Sequence, residues 1–205
     1  MESLLDHLGI RGRQRFSGVT RIAPPDRLAI ATMKDLAPNM DVNFGWEHYR
    51  NCAESHFSVL RSAINGGTFP FLLLEDDVET QGFPESPIEC PDDADALYLG
   101  TSHGNPDYVA NAVSDELLRI ERVYSAHAIV YLTKAYAEAV ITDGTRAIYE
   151  SDMPFDVAVA FETQSRFNVY GMRTPIFYQS DAKNQVNKWE HMTRTPLSPR
   201  GPLES

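Results

Sequence analysis

Phe69–Glu79 reads FPFLLLEDDVE. A proline and five strongly apolar residues run straight into Glu75, Asp76 and Asp77. Gly66 and Gly67 precede the run, and Gly82 and Pro84 follow it. A short apolar run between turn residues reads as a fully buried strand. Three neighbouring carboxylates at its end repel one another and cost free energy to desolvate. Water, a cation or nearby bases must offset that cost.

The segment before this strand is the clearest helix of the chain. In WEHYRNCAESHFSVLRSAING the positions Cys52, Ala53, His56, Phe57, Leu60, Ala63 and Ile64 recur at i, i+3, i+4, the stripe of one buried face. Asn65-Gly66-Gly67 closes it. Further out, the patterns predict a helix over 2–9, a strand over 16–22, a helix over 26–37 opened by Pro24-Pro25, and a loop at NMDVNFG. Downstream they predict a Pro- and acid-rich loop over 80–93 and strands at ALYLG (96–100) and SAHAIVYL (125–132). A helix over 133–141 stops at Asp143-Gly144, and a second helix covers 153–164. Short strands follow at FNVYGM and TPIFYQ; residues 107–121 are ambiguous. Helices alternating with short apolar strands predict an α/β fold with a largely parallel sheet. In such sheets ligands sit beyond the carboxyl ends of strands, where Glu75–Asp77 and Thr101–Asn105 lie. Residues 1–194 read as one domain. The tail from Thr195, with three prolines in TPLSPRGPLES, reads as disordered.

A chain of 205 residues is long enough for one domain with a real core. It is 42% hydrophobic and 23% charged, ordinary for a folded soluble protein. No apolar run approaches the ~20 residues of a membrane helix. The start, MESLLDHLGIRGRQR, lacks the apolar core of a secretory signal. Cys52 and Cys90 do not make a disulfide framework. These features point to the cytoplasm. The net charge of −11 argues against a generic nucleic-acid surface, while leaving room for a local basic groove.

Several residues could carry chemistry. The EDD triplet offers oxygen ligands for Mn²⁺ or Mg²⁺, which take one or two carboxylates plus substrate phosphates; it could equally be a solvated acidic loop. A P-loop is excluded, since no G-x-x-x-x-G-K-[ST] occurs. Cys52 and His56 are four apart and share a helix face, as a metal pair would. With Cys90 in a loop and no H-E-x-x-H, packing is the favoured reading of that pair. Ser55 and His56 point roughly 100° apart and form no nucleophile pair by spacing. His127 reads as a core histidine. Asp156, after Pro154 at a helix start, could cap that helix or act as a base. TSHGN (101–105) is a polar loop that could be no more than a turn. Lys183, Lys188 and Arg194 could meet a phosphate or be a solvated face.

Taken in order, these pieces resemble glycosyltransferase family 25, which includes bacterial lipopolysaccharide β-galactosyltransferases and collagen galactosyltransferase domains. The family's hallmark is a G-C-x-x-S-H helix followed by a hydrophobic strand into E-D-D. NCAESHFSVLRSAINGGTFPFLLLEDDV is similar to it over 28 residues. DADALYLG looks like the family's D…hhLG strand, SAHAIVYLTKAYAEAVI like its histidine-containing strand and helix, MPFD like its P-h-D site, and TPIFYQS like its P…Q strand. The likeness runs from roughly residue 45 to 187. Asn51 stands where the family usually has Gly. The family's first strand, of type hhhINLdrR, has no full counterpart in either register of the N-terminus, so the donor-binding half is shortened.

The resemblance implies a GT-A-like, Rossmann-type, mostly parallel sheet flanked by helices. It implies inverting transfer of a sugar, from a UDP-hexose or other nucleotide-sugar donor, to a hydroxyl of a glycan or other acceptor. Asp77 becomes the main metal ligand, for Mn²⁺ or Mg²⁺. Glu75 and Asp76 help hold ribose or metal, Ser55 and His56 shape the site, and His127 lines the donor pocket. Asp156 is the expected general base and Asp152 the runner-up. The rival expectations are a glycosyltransferase acting on a modified nucleobase and a degenerate domain that binds without catalysis.

Overall fold

The computed structural model describes residues 14–18, 46–84, 87–151, 153–181 and 189–201. The helices expected over 2–9 and 26–37, most of the strand expected over 16–22, and Asp152, Lys183 and Lys188 lie outside them.

Helix α1 (Trp46–Gly66) covers the expected span. Ala53, His56, Phe57, Leu60 and Ala63 are its buried face. It ends where Gly67 takes a φ of +62°, a left-handed conformation that costs glycine little. Strand β1 (Phe71–Leu74) carries the apolar run into the acids. The short β2 (Val78–Thr80), then β3 (Ala96–Tyr98), β4 (Val109–Ala112), β5 (Leu117–Glu121) and β6 (Ala128–Tyr131) follow with no helix between them. Helix α2 (Lys134–Glu150) is next, and then the single turn α3 (Phe155–Ala158), which continues as a π-turn (Val159–Thr163) and a 3-10 turn (Gln164–Arg166). Strands β7 (Val169–Met172) and β8 (Phe177–Gln179) and helix α4 (Trp189–Arg194) complete the order.

Six strands form one sheet in the order β1-β6-β3-β7-β5-β4; β2 and β8 form a separate antiparallel ribbon. The sheet is mixed, which corrects the mostly parallel expectation: only β3 and β7 run parallel. The connections explain this. Parallel neighbours need a crossover of a dozen or more residues; here α2 and α3 link β6 to β7, the strands on either side of β3, while β4 and β5 pair as antiparallel neighbours. The ambiguous stretch 107–121 is instead a hairpin, β4 on β5.

Side chains alternate across the sheet with period two. Ala96, Tyr98, Leu118, Ile120 and Val169 face the cluster under α1 and α2. Leu97, Leu99, Leu117, Tyr170 and Met172 face the other cluster, where Val78 and Phe177 of the β2–β8 ribbon pack. Under the helices, the hydroxyls of Tyr98 and Tyr136 meet at 2.8 Å, pairing two polar tips that would otherwise be buried alone.

Three further expectations are corrected. β1 is half-buried rather than fully buried, with only Leu73 in the core. Among the described residues it is an edge strand, paired to β6 alone. Helix α2 does not stop at Asp143-Gly144. Asp143 is buried and accepts hydrogen bonds from Thr163 and Arg166. A Cβ at Gly144 would lie 2.7 Å from Cζ of Phe57, so the glycine there is the contact that lets α1 and α2 close. Finally, within residues 195–201 of the tail read as disordered, Leu197 and Arg200 are anchored while Pro196, Ser198, Pro199 and Gly201 are exposed. Leu197 is 1% exposed. Arg200 exchanges two 2.7 Å backbone hydrogen bonds with Ala110, partly covering the exposed edge of β4.

Candidate functional site

The carboxyl end of β1, the carboxyl end of β3 and the start of the antiparallel β6 meet at one margin of the sheet. The Glu75 amide donates to the carbonyl of His127 (3.0 Å), and the amides of Leu99 and Gly100 donate to that of Ala128. β8 reaches the same margin, because the Ser180 amide donates to the Asp77 carbonyl at 3.2 Å. Helix α1 crosses behind it, and α3 enters with Phe155 4.9 Å, ring to ring, from His56.

Glu75 is the hub. Its Oε1 lies 2.9 Å from His56 Nε2 and 3.9 Å from Cys52 Sγ, and its Oε2 accepts from Gln179 Nε2 at 3.0 Å. The same Gln179 amide is 3.4 Å from Asp77 Oδ2, so one side-chain NH₂ ties the first and third acids of EDD together. Asp76, between them, is exposed and takes its solvation from water. His56 is 5% exposed, yet its Nδ1 has no hydrogen-bond partner among the described residues.

The electrostatics follow from this crowding. The Asp156 carboxyl is pushed from 3.8 up to about 6, chiefly by burial and further by the charge of Glu75. Hydrogen bonds from the Val157 and Asp156 amides, and the nearby His56, act against that rise. The Cys52 thiol is held well above its usual range by burial and by the negative charges of Glu75, Asp156 and Asp77. Five groups from three separate segments thus share one electrostatic neighbourhood.

Of the residues expected from the sequence, Glu75, Asp77, His56 and Asp156 are brought together. Ser55 is on the neighbouring face of α1, with its hydroxyl donating to the Asn51 carbonyl at 2.7 Å. His127 does not reach an open surface. It is 1% exposed, with Nδ1 3.2 Å from Ser125 Oγ and Nε2 3.3 Å from the Phe177 carbonyl. Burial lowers its pKa, which favours the neutral ring. Gly100 makes room for it: a Cβ there would sit 2.0 Å from Nε2. His127 is therefore a scaffold residue of this margin, not a lining one. Arg194 pairs with Glu190 and lies over the Tyr178 ring.

Two members were missed. Cys52 was seen as half of a metal pair, but its third partner, Glu75, lies on another element. Gln179 ends the last short strand, and its only signal was the P…Q pattern of TPIFYQS.

No helix among the described residues is long and apolar enough to cross a membrane. No protein-family model, curated protein or solved structure matches the chain.

Proposed function

We propose that the chain is a cytoplasmic, metal-dependent, inverting glycosyltransferase of GT-A-like fold. It moves a hexose from a nucleotide-sugar, a UDP-sugar by preference, to a hydroxyl of a glycan or other acceptor. One observation carries this reading: Asp156, a carboxyl raised to about 6, stands in the same neighbourhood as the acids that end β1. Inversion by single displacement needs a base for the acceptor hydroxyl. A carboxylate serves best when its pKa lies near the working pH. Asp156 is ionised at neutral pH and still holds a proton far better than an exposed aspartate.

The other residues have supporting roles. Glu75 and Asp77 offer the hard oxygen ligands that Mn²⁺ and Mg²⁺ take. An ion held by these carboxylates would supply positive charge against that of the departing diphosphate. Gln179 holds the two carboxylates in a fixed relation. His56, bonded to Glu75 Oε1, fixes the orientation of that carboxyl.

The test is nucleoside diphosphate release across a panel of nucleotide-sugars with Mn²⁺. Release is expected with at least one donor, and Asp77→Asn and Asp156→Asn should each abolish it. A protein that releases nothing and gains no thermal stability from UDP plus Mn²⁺ overturns the proposal. Stabilisation without turnover would select the binding-only alternative.

A further inference from the structure

Glu75 has two differently furnished sides. On the Oε2 side are an amide and the Asp77 carboxylate, an oxygen-rich setting. On the Oε1 side are a thiol and an imidazole, from Cys52 and His56. One ligand atom from each of Cys52, His56 and Glu75 lies within 4.8 Å of the others. Sulfur, nitrogen and one carboxylate oxygen form the donor set of a zinc-class ion rather than of Mn²⁺ or Mg²⁺.

The spacing suits such an ion. Bonds of ~2.3 Å to sulfur and ~2.0 Å to nitrogen or oxygen, at tetrahedral angles, put ligand atoms about 3.3–3.5 Å apart. Here the N–O and S–O separations are 2.9 and 3.9 Å, on either side of that value. Cys52 and His56 stand one helical turn apart on α1, so the backbone holds two ligands in register before any metal arrives. The His56 ring offers Nε2 to this side of Glu75, while its Nδ1 has no hydrogen-bond partner among the described residues. The surrounding charge favours a cation, since Asp77 and Asp156 both act on Cys52.

We propose that Cys52, His56 and Glu75 form a binding site for Zn²⁺, distinct in donor chemistry from the Glu75–Asp77 oxygen site. On binding, the Cys52 thiol gives its proton to solvent as the sulfur–metal bond forms. His56 contributes a ring-nitrogen lone pair and Glu75 the Oε1 oxygen. Three protein ligands leave the fourth tetrahedral position to water or a ligand, the arrangement of an open zinc site rather than a closed structural one. The inference stands without the glycosyl-transfer reading; the two share Glu75 and His56.

The experiment uses the full chain, reduced and stripped of metal with a chelator, and Co²⁺ as a spectroscopic substitute for Zn²⁺. One equivalent should bind with a near-ultraviolet thiolate-to-cobalt band and visible bands of tetrahedral intensity, and Zn²⁺ should displace it. Cys52→Ser should erase the thiolate band and weaken Zn²⁺ binding by at least about 100-fold, a loss that even outer partners of a ligand can cause. Cys90→Ser should change neither. In the unaltered chain, Zn²⁺ should shield Cys52, but not Cys90, from alkylation, a readout that depends on no variant folding. Absence of the band together with equal alkylation of both cysteines in excess metal overturns the proposal. So does a band that survives Cys52→Ser. Mn²⁺-dependent turnover without Zn²⁺ binding would sink this inference alone, and Zn²⁺ binding without turnover would leave it standing without the transferase.

Discussion

Replacing Asp156 with Asn removes a carboxyl whose proton the folded chain holds more tightly than the unfolded chain does. The size of the effect follows from the rise from 3.8 to about 6. At ~1.4 kcal/mol per pH unit this corresponds to at most ~3 kcal/mol. Part of the side chain reaches solvent, and Asn retains one acceptor for the Val157 amide, so ~1–2 kcal/mol is the expected net value. The sign is fixed by linkage. Well below pH 3.8 the carboxyl is protonated in both states, and Asn imitates it. As pH rises toward 6 the unfolded state loses its proton first, the folded state binds more protons, and the wild-type chain loses stability. Above that the deficit is constant. Asp156→Asn should therefore match the wild type near pH 3 and exceed its stability at pH 7.5. All other titrating groups are common to both chains and largely cancel in the difference. Urea denaturation at a series of pH values between these limits measures the gap directly. The same variant should be inactive in nucleoside diphosphate release, so stability and activity move in opposite directions. A variant less stable than wild type at pH 7.5, or a gap that does not change with pH, refutes the assigned environment of Asp156.

Two substitutions test the scaffold. Gly100→Ala puts a methyl 2.0 Å from His127 Nε2, on a backbone tied to Ala128. The ring must leave its Ser125 and Phe177 contacts, at a cost of about 1–3 kcal/mol or more, and an unchanged melting temperature would contradict the packing described. Leu197→Ala should cost about 2–5 kcal/mol, the range for emptying a buried leucine site; a negligible effect on urea denaturation would return residues 195–201 to the status of a loose tail.

The fold was legible wherever a segment buries one face by its own periodicity. Helix α1 could be read because Ala53, Phe57, Leu60 and Ala63 repeat at helical spacing and all reach the core. Strands β3 and β6 are short apolar runs in a sheet covered on both faces. The hairpin of β4 and β5 was not legible. Asn111 and Ala112 are exposed, whereas Leu117 and Leu118 are consecutive and point into opposite cores, so neither alternation nor a helical stripe emerges. With that hairpin unread, the count of helices between strands suggested crossovers that do not exist. The stop at Asp143-Gly144 failed for a different reason. Local propensity favours a break there, but the partners of Asp143 and the ring of Phe57 over Gly144 lie on other elements.

The same division runs through the site. Three acids in a row pose a problem that the sequence states and only the tertiary structure answers. Asp76 is left in water. Glu75 is held by His56, Cys52 and Gln179, and Asp77 shares the Gln179 amide. Those partners lie as far away as the last short strand, so no local pattern could reveal them. Crowding that these contacts do not relieve falls on neighbours: it keeps the Cys52 thiol protonated and adds to the burial that raises Asp156 toward neutrality. The raised Asp156 carboxyl and the raised Cys52 thiol thus share their causes, burial first and the charge of Glu75 after it. Both groups lie beside Glu75, where α1, β1 and β8 converge.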